Sequence, residues 1–181
     1  RCAMGIQFGR RLRSARIMRG LSMEKLAQKM QNKITKQAIG KYEKGQAMPN
    51  SEHLVDLARA LQVKLDYFFR PAQIEVQLGE PVYRKRRKMS NKQLQSVHEK
   101  VRDHVERYLF AESLFPPERF PALRLTKMKK RQVHSFDEVE QLAKQVRSLW
   151  DLGSAPIDNL VEVLEDHKVL VVIIEADTDF D

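Results

Sequence analysis

LSMEKLAQKMQNKITKQAIGKYEKG, residues 21–45, is the stretch whose reading decides the fold. Ser22 can cap a helix in which Leu26, Ala27 and Met30 fall on one face. Thr35 can cap a second, with Ala38, Ile39 and Tyr42 turned inward. Lys36, Gln37, Gly40 and Lys41 are then the outward positions. Lys44-Gly45 ends that helix, because glycine suits the left-handed position after a C-terminus. A helix displaying an amide and ammonium groups, propped on another helix, is built to read a DNA major groove.

Outward from this pair the pattern stays helical. Phe8, Leu12, Ala15 and Ile17 or Met18 give an apolar stripe to an arginine-rich first helix. Asn50 or Ser51 starts a helix carrying Leu54, Leu57, Ala58 and Leu61, and Val63 to Phe69 closes a small core. Five short helices in about 65 residues suffice for a small all-α domain.

The chain resembles the Cro/CI-type (XRE) helix-turn-helix family at Leu21-Ser22-x-x-x-Leu26-Ala27, Thr35-Lys36-Gln37-Ala38-Ile39, Tyr42-Glu43-Lys44-Gly45 and Pro49. The resemblance covers residues 6–70 and implies a five-helix, lambda-repressor-like DNA-binding domain. In that family residues placed like Lys36, Gln37, Gly40 and Lys41 face bases or phosphates, and these four are expected to read base edges. Arg10, Arg11, Ser22, Thr35 and Lys44 are expected on phosphates. Two departures stand out. The turn Gln31 to Ile34 is long for the family, predicting a shifted angle for the second helix. Gly40 stands where serine is common, and it either removes a contact or lets the backbone approach DNA; mid-helix it costs about 1 kcal/mol relative to alanine.

Charge points the same way. Residues 1–70 hold 15 Lys and Arg against 5 Asp and Glu; residues 71–130 hold 14 against 7; residues 131–181 hold 4 against 12. The positive field belongs to the first two segments, as a polyanion-binding protein needs. The alternative reading of many of these cations is ordinary solvated surface charge.

The 181 residues, 42% of them hydrophobic, provide for one domain and part or all of a second. Cys2 is the single cysteine, so no internal disulfide forms and a reducing, cytoplasmic setting over the nucleoid is expected. Residues 1–5 read as a remnant before a natural start near Met4. No charged-then-apolar pattern of a signal segment is read in these residues, and the longest apolar run, Val169 to Ile174, is too short for a bilayer.

Residues 71–90 read as a basic strand or linker. Ile74, Val76 and Leu78 alternate with polar residues ahead of a turn at Gly79-Glu80-Pro81, and Val82-Tyr83-Arg84 follows, predicting a hairpin. The run Arg84-Lys85-Arg86-Arg87-Lys88 is either a phosphate-binding arm or a solvated edge strand guarded by charge. Residues 91–181 read as an α+β region with a small sheet. Asn91 to Leu114 forms an amphipathic helix with Leu94, Val97, Val101, Val105, Tyr108 and Leu109. Ser135 to Glu138 has the form of a capping box, Pro156 opens another helix, and Lys168 to Glu175 is a buried-type strand.

Residues 80–181 resemble the N-terminal part of the ImmA/IrrE metallopeptidase family. The resemblance rests on Tyr83-Arg84-Lys85, the helix from Ser90 to Leu114, Ala143 to Gly153, Pro156-Ile157, Leu164-Glu165 and the strand to Glu175. The family binds zinc through a helical His-Glu-x-x-His after such a strand, and no such motif occurs in this chain. His98 and His104 fall on different faces of one helix, and His53, His134 and His167 are isolated. No phosphate loop or nucleophile elbow is present. No catalysis, cofactor or metal is therefore expected of the chain as given.

Three functions compete. One is a regulator that binds a palindromic double-stranded operator as a homodimer, its C-terminal region dimerising or sensing. Another is the DNA-targeting and scaffold portion of a truncated zinc metallopeptidase regulator. The third is an antitoxin-type module whose second half binds a partner protein.

Overall fold

In a computed structural model, the structure describes residues 3–70, 76–79, 90–116 and 132–174. The helices are α1 (Ala3–Met18), α2 (Met23–Lys29), α3 (Lys36–Glu43), α4 (Ser51–Leu61), a 3-10 helix (Leu65–Phe69), α5 (Asn91–Ser113), α6 (Phe136–Leu149) and α7 (Leu160–Asp166). The chain divides into two compact units, Arg1–Leu114 with Ile174–Asp181 and Phe115–Ile173.

In the first unit, short polar residues start the helices where the sequence places them. Ser22 accepts from Lys25 N at 3.1 Å, Thr35 from Ala38 N at 3.2 Å and Asn50 from His53 N at 2.8 Å. Each satisfies one amide that has no carbonyl partner within its helix. The core gathers Phe8, Leu12 and Ala15 of α1, Leu26 of α2 and Met30 just after it, Ile39 of α3, Leu57 and Leu61 of α4, and Phe68. Phe8 lies 5.3 Å from Phe68 and 6.1 Å from Phe69, ring centre to ring centre, joining the first helix to the last turn. Ala38, Tyr42, Leu54 and Met18 are half-buried against this cluster.

The turn between α2 and α3 has two consecutive left-handed residues, Gln31 and Asn32, at φ +55° and +56°. Their amides close the end of α2, Gln31 N donating to Gln28 O and Asn32 N to Ala27 O, both at 2.9 Å. Lys33 then reaches Asp56 of α4 at 2.9 Å and holds its carboxyl below the usual carboxylate range.

The boundary expected at residue 91 is not where the fold divides. Helix α5 packs along α1 and belongs to the first unit. It docks by polar residues: Ser96 Oγ donates to Met18 O at 2.6 Å, and Arg102 Nη2 to Ser14 Oγ at 2.7 Å. Its start is a reciprocal capping box, with Gln93 N donating to Ser90 Oγ at 3.3 Å and Ser90 N to Gln93 Oε1 at 3.0 Å.

In the second unit the box expected at Ser135 is half made. Ser135 accepts from Glu138 N at 3.2 Å, but Glu138 accepts from His134 N instead, at 2.9 Å. Helix α7 begins at Leu160 rather than at Pro156, because Asn159 supplies the acceptor that a helix start needs, to Glu162 N at 3.2 Å. Trp150 stacks on His167 at 4.2 Å, pinning the end of α6 to the end of α7.

The small sheet is the main correction. Among the described residues there is no strand. Residues 168–174 run without regular structure, and their apolar character is met by partial burial alone, Ile173 remaining 82% exposed. A strand needs a neighbour for its backbone amides and carbonyls, and no described segment offers one. Residues 76–79 of the expected hairpin are likewise irregular; the rest of it, and the basic run 84–88, lie outside the described residues.

Candidate nucleic-acid interface

The site is the outer face of α3, and the residues beneath it explain why it is held rigidly. Ile39 is fully buried under the helix. At its N-terminus Thr35 provides the cap. At its C-terminus Gly45, at φ +65°, lets Gly45 N bond to Tyr42 O at 3.0 Å and Gln46 N to Lys41 O at 2.9 Å. That pair of bonds is the Schellman closure.

Helix α1 crosses this end at backbone contact distance. A Cβ on Gly9 would stand 2.5 Å from the carbonyl oxygens of both Tyr42 and Glu43, so only glycine fits. A Cβ on Gly45 would lie 2.9 Å from the backbone of Gly5. Arg16 locks the crossing: its Nε and Nη2 donate to Glu43 at 2.6 and 2.9 Å, and its Nη1 to Leu21 O at 2.8 Å. This bidentate pair is almost wholly buried and ties α1, the entry to α2 and the end of α3 into one body.

The outer face is as the sequence placed it. Lys36, Gln37 and Lys41 are exposed along α3, Gly40 is half-exposed between them, and Lys44 is exposed at the C-terminus. A Cβ on Gly40 would meet only Met23 Sδ, at 3.8 Å, so internal packing does not require glycine here. Ser22 and Thr35 have their hydroxyl oxygens engaged as caps, and each keeps a proton to donate. Arg10 is exposed on α1.

Arg11 departs from expectation. It is 7% exposed, its Nη1 donating to Glu106 Oε2 at 2.8 Å, its Nη2 to Glu106 Oε1, and its Nε to Arg70 O at 3.3 Å. The hydrogen bond to Glu106 raises its pKa above the ordinary arginine value. A guanidinium so engaged is a docking residue for α5, not a phosphate contact. Arg16 and Arg19 are structural too; Arg19 donates to Leu61 O at 2.8 Å and Gln62 O at 3.0 Å, covering the last carbonyls of α4.

Sequence reasoning missed Glu24. The second residue of α2, it accepts from Lys36 Nζ and bridges the first turns of α2 and α3. The spacing of an acid and a lysine across two helices carries no local signal, unlike an i, i+4 pair. Among the described residues no group of three His, Cys, Asp or Glu side chains is placed to hold a metal ion. No described helix is long and apolar enough to cross a membrane.

Comparison with known proteins now fits the geometry. Residues 12–68 match the family described as helix-turn-helix. They form a helix-turn-helix domain. This domain runs from the middle of α1 to the 3-10 helix and encloses α2, α3 and their turn. The chain is similar to the SPbeta prophage-derived uncharacterized HTH-type transcriptional regulator YonR of Bacillus subtilis (strain 168), 34% identical over 73 residues. That alignment covers 40% of this chain and 66% of YonR, just under two thirds of the relative. No solved structure matches the chain.

Proposed function

We propose that this chain is a sequence-specific DNA-binding transcriptional regulator of the XRE type, with α3 as its recognition helix in the major groove. One observation carries the reading: a helix anchored from beneath by Ile39 and the Arg16–Glu43 pair presents Lys36, Gln37 and Lys41 outward. The name of the Bacillus relative supports it. Gln37 reads a base edge, and Arg10, Ser22, Thr35 and Lys44 hold phosphates.

One helix-turn-helix reads only a few base pairs, so in this proposal two copies bind a two-fold operator with half-sites about one DNA turn apart. The second unit serves dimerisation, sensing or a protein partner. Its apolar side chains support that role: Phe136 is 91% exposed, and none of its described residues is buried. The resemblance of 80–181 to the start of an ImmA/IrrE domain makes this unit a scaffold in the same scheme. As a cytoplasmic protein it would reach chromosomal DNA directly, and its own residues carry no catalytic step.

Selection of duplexes from a randomised library by the full chain tests the proposal. The expected result is a single motif with two-fold symmetry. Gln37→Ala should then lose about 1–3 kcal/mol on the selected duplex and much less on random DNA. Equal losses on both would show that Gln37 does not read sequence.

A further inference from the structure

The DNA-facing half of the domain carries one acid that its apparent purpose does not explain. Residues 19–46 contain six lysines and two acidic residues, Glu24 and Glu43. Glu43 is buried under Arg16 and neutralised there. Glu24 is on the surface, its side chain 59% exposed, and it accepts a hydrogen bond from Lys36 Nζ, whose side chain is 53% exposed. An exposed ion pair of this kind adds little to stability. A carboxylate beside a recognition helix also repels phosphate. Its place at the first turn of α2 favours that helix through the dipole, but this needs no reach across to α3.

What the pair does create is a donor beside an acceptor. An ammonium donor and a carboxylate acceptor stand side by side at the first residue of α3, next to Gln37. The major-groove edge of a G·C pair shows the complement: acceptors N7 and O6 on guanine beside the N4 amino donor on cytosine. An A·T pair puts its amino donor, adenine N6, between the acceptors N7 and O4, so an ammonium that can span the adjacent acceptors N7 and O6 of guanine meets a donor there instead. We propose that Glu24 and Lys36 act as a dyad that selects a G·C base pair, Lys36 donating to guanine and Glu24 accepting from cytosine. Glu24 also keeps Lys36 off phosphates on non-cognate DNA, so the dyad exchanges indiscriminate affinity for discrimination. The inference rests on the DNA-binding reading above and assigns to it one base pair and one further residue.

The library selection, run in parallel on the wild-type chain, Glu24→Gln and Lys36→Gln, tests it. Glu24 is exposed and its amide isostere leaves the packing intact, which circular dichroism verifies. The wild type should return a motif with a fixed G·C pair that Glu24→Gln relaxes by at least about fivefold at that position alone. Glu24→Gln should also bind random duplex more tightly, with a log–log salt slope steeper by about one, because Lys36 is released to a phosphate. Lys36→Gln should relax the same position without the steeper slope. An unchanged motif and slope in Glu24→Gln would overturn the dyad while leaving the regulator reading intact. A wild-type chain that returns no motif would overturn both.

Discussion

Tyr67 and Arg11 show how much a single side chain can hide from its sequence. Tyr67 is buried against the guanidinium groups of Arg11 and Arg70, 5.8 and 5.4 Å from its ring centre, and its hydroxyl has no hydrogen-bond partner. Burial, reinforced by the charge of Asp103, raises its pKa above the ordinary 10. The neutral phenol is the form the fold favours. Its contribution is therefore complete below pH 10 and fades as pH climbs beyond it, where the unfolded chain ionises first. Tyr67→Phe should unfold within about 1 kcal/mol of wild type at pH 7, since no hydrogen bond is lost. Between pH 9 and 11 it should lose less stability than wild type in urea titrations; a parallel loss would refute this account of Tyr67. Tyr67 fits the apolar segment that the sequence closes the core with, but its unpaired hydroxyl is not visible there. Arg11 is expected, with Arg10, on phosphate. Its partner, Glu106, lies 95 positions along the chain, beyond anything periodicity can report.

At the scale of elements, legibility follows how local the cause is. Ser22, Thr35 and Asn50 cap amides three positions away, so their helices could be read with their boundaries. The close crossing of α1 over α3 depends on Gly9 meeting a backbone more than thirty residues distant, and no local pattern announces it. The strand expected over 168–175 is absent over its described residues 168–174 for the same reason: an apolar run states a wish for burial, not a pairing partner. Helix α5 was legible as a helix through its stripe Leu94, Val97, Val101 and Val105, yet it docks on α1 through Ser96, Arg102 and Glu106. Hydropathy sees the apolar side of a helix only. The Arg11–Glu106 pair, with side chains 9% and 15% exposed, is the centre of that seam. Removing one partner strands a buried charge, so Glu106→Ala should cost about 3 kcal/mol in urea unfolding. A loss under about 0.5 kcal/mol would mean that α5 is held by something else.

For the whole molecule the decisive property is the unequal distribution of charge. Residues 1–70 carry 15 cations against 5 anions, and residues 131–181 carry 4 against 12, so the field that draws a polyanion is centred on the helix-turn-helix domain. The structure sorts these cations by use. Arg11 and Arg16 are spent on internal bonds, while Arg10, Arg19, Lys41 and Lys44 remain at the surface, Arg19 bonded to the end of α4, and Lys36 is shared with Glu24. Only the surface group can release counterions from DNA. Each phosphate contact contributes close to one unit to the slope of log affinity against log salt. The most direct test of the account is therefore a titration of the full chain with a fluorescent duplex at several salt concentrations. Affinity should fall linearly on the log–log plot with a slope of about −3 to −4 per copy, and Lys44→Gln should lessen it by about one. A flat salt dependence would contradict DNA binding by this chain.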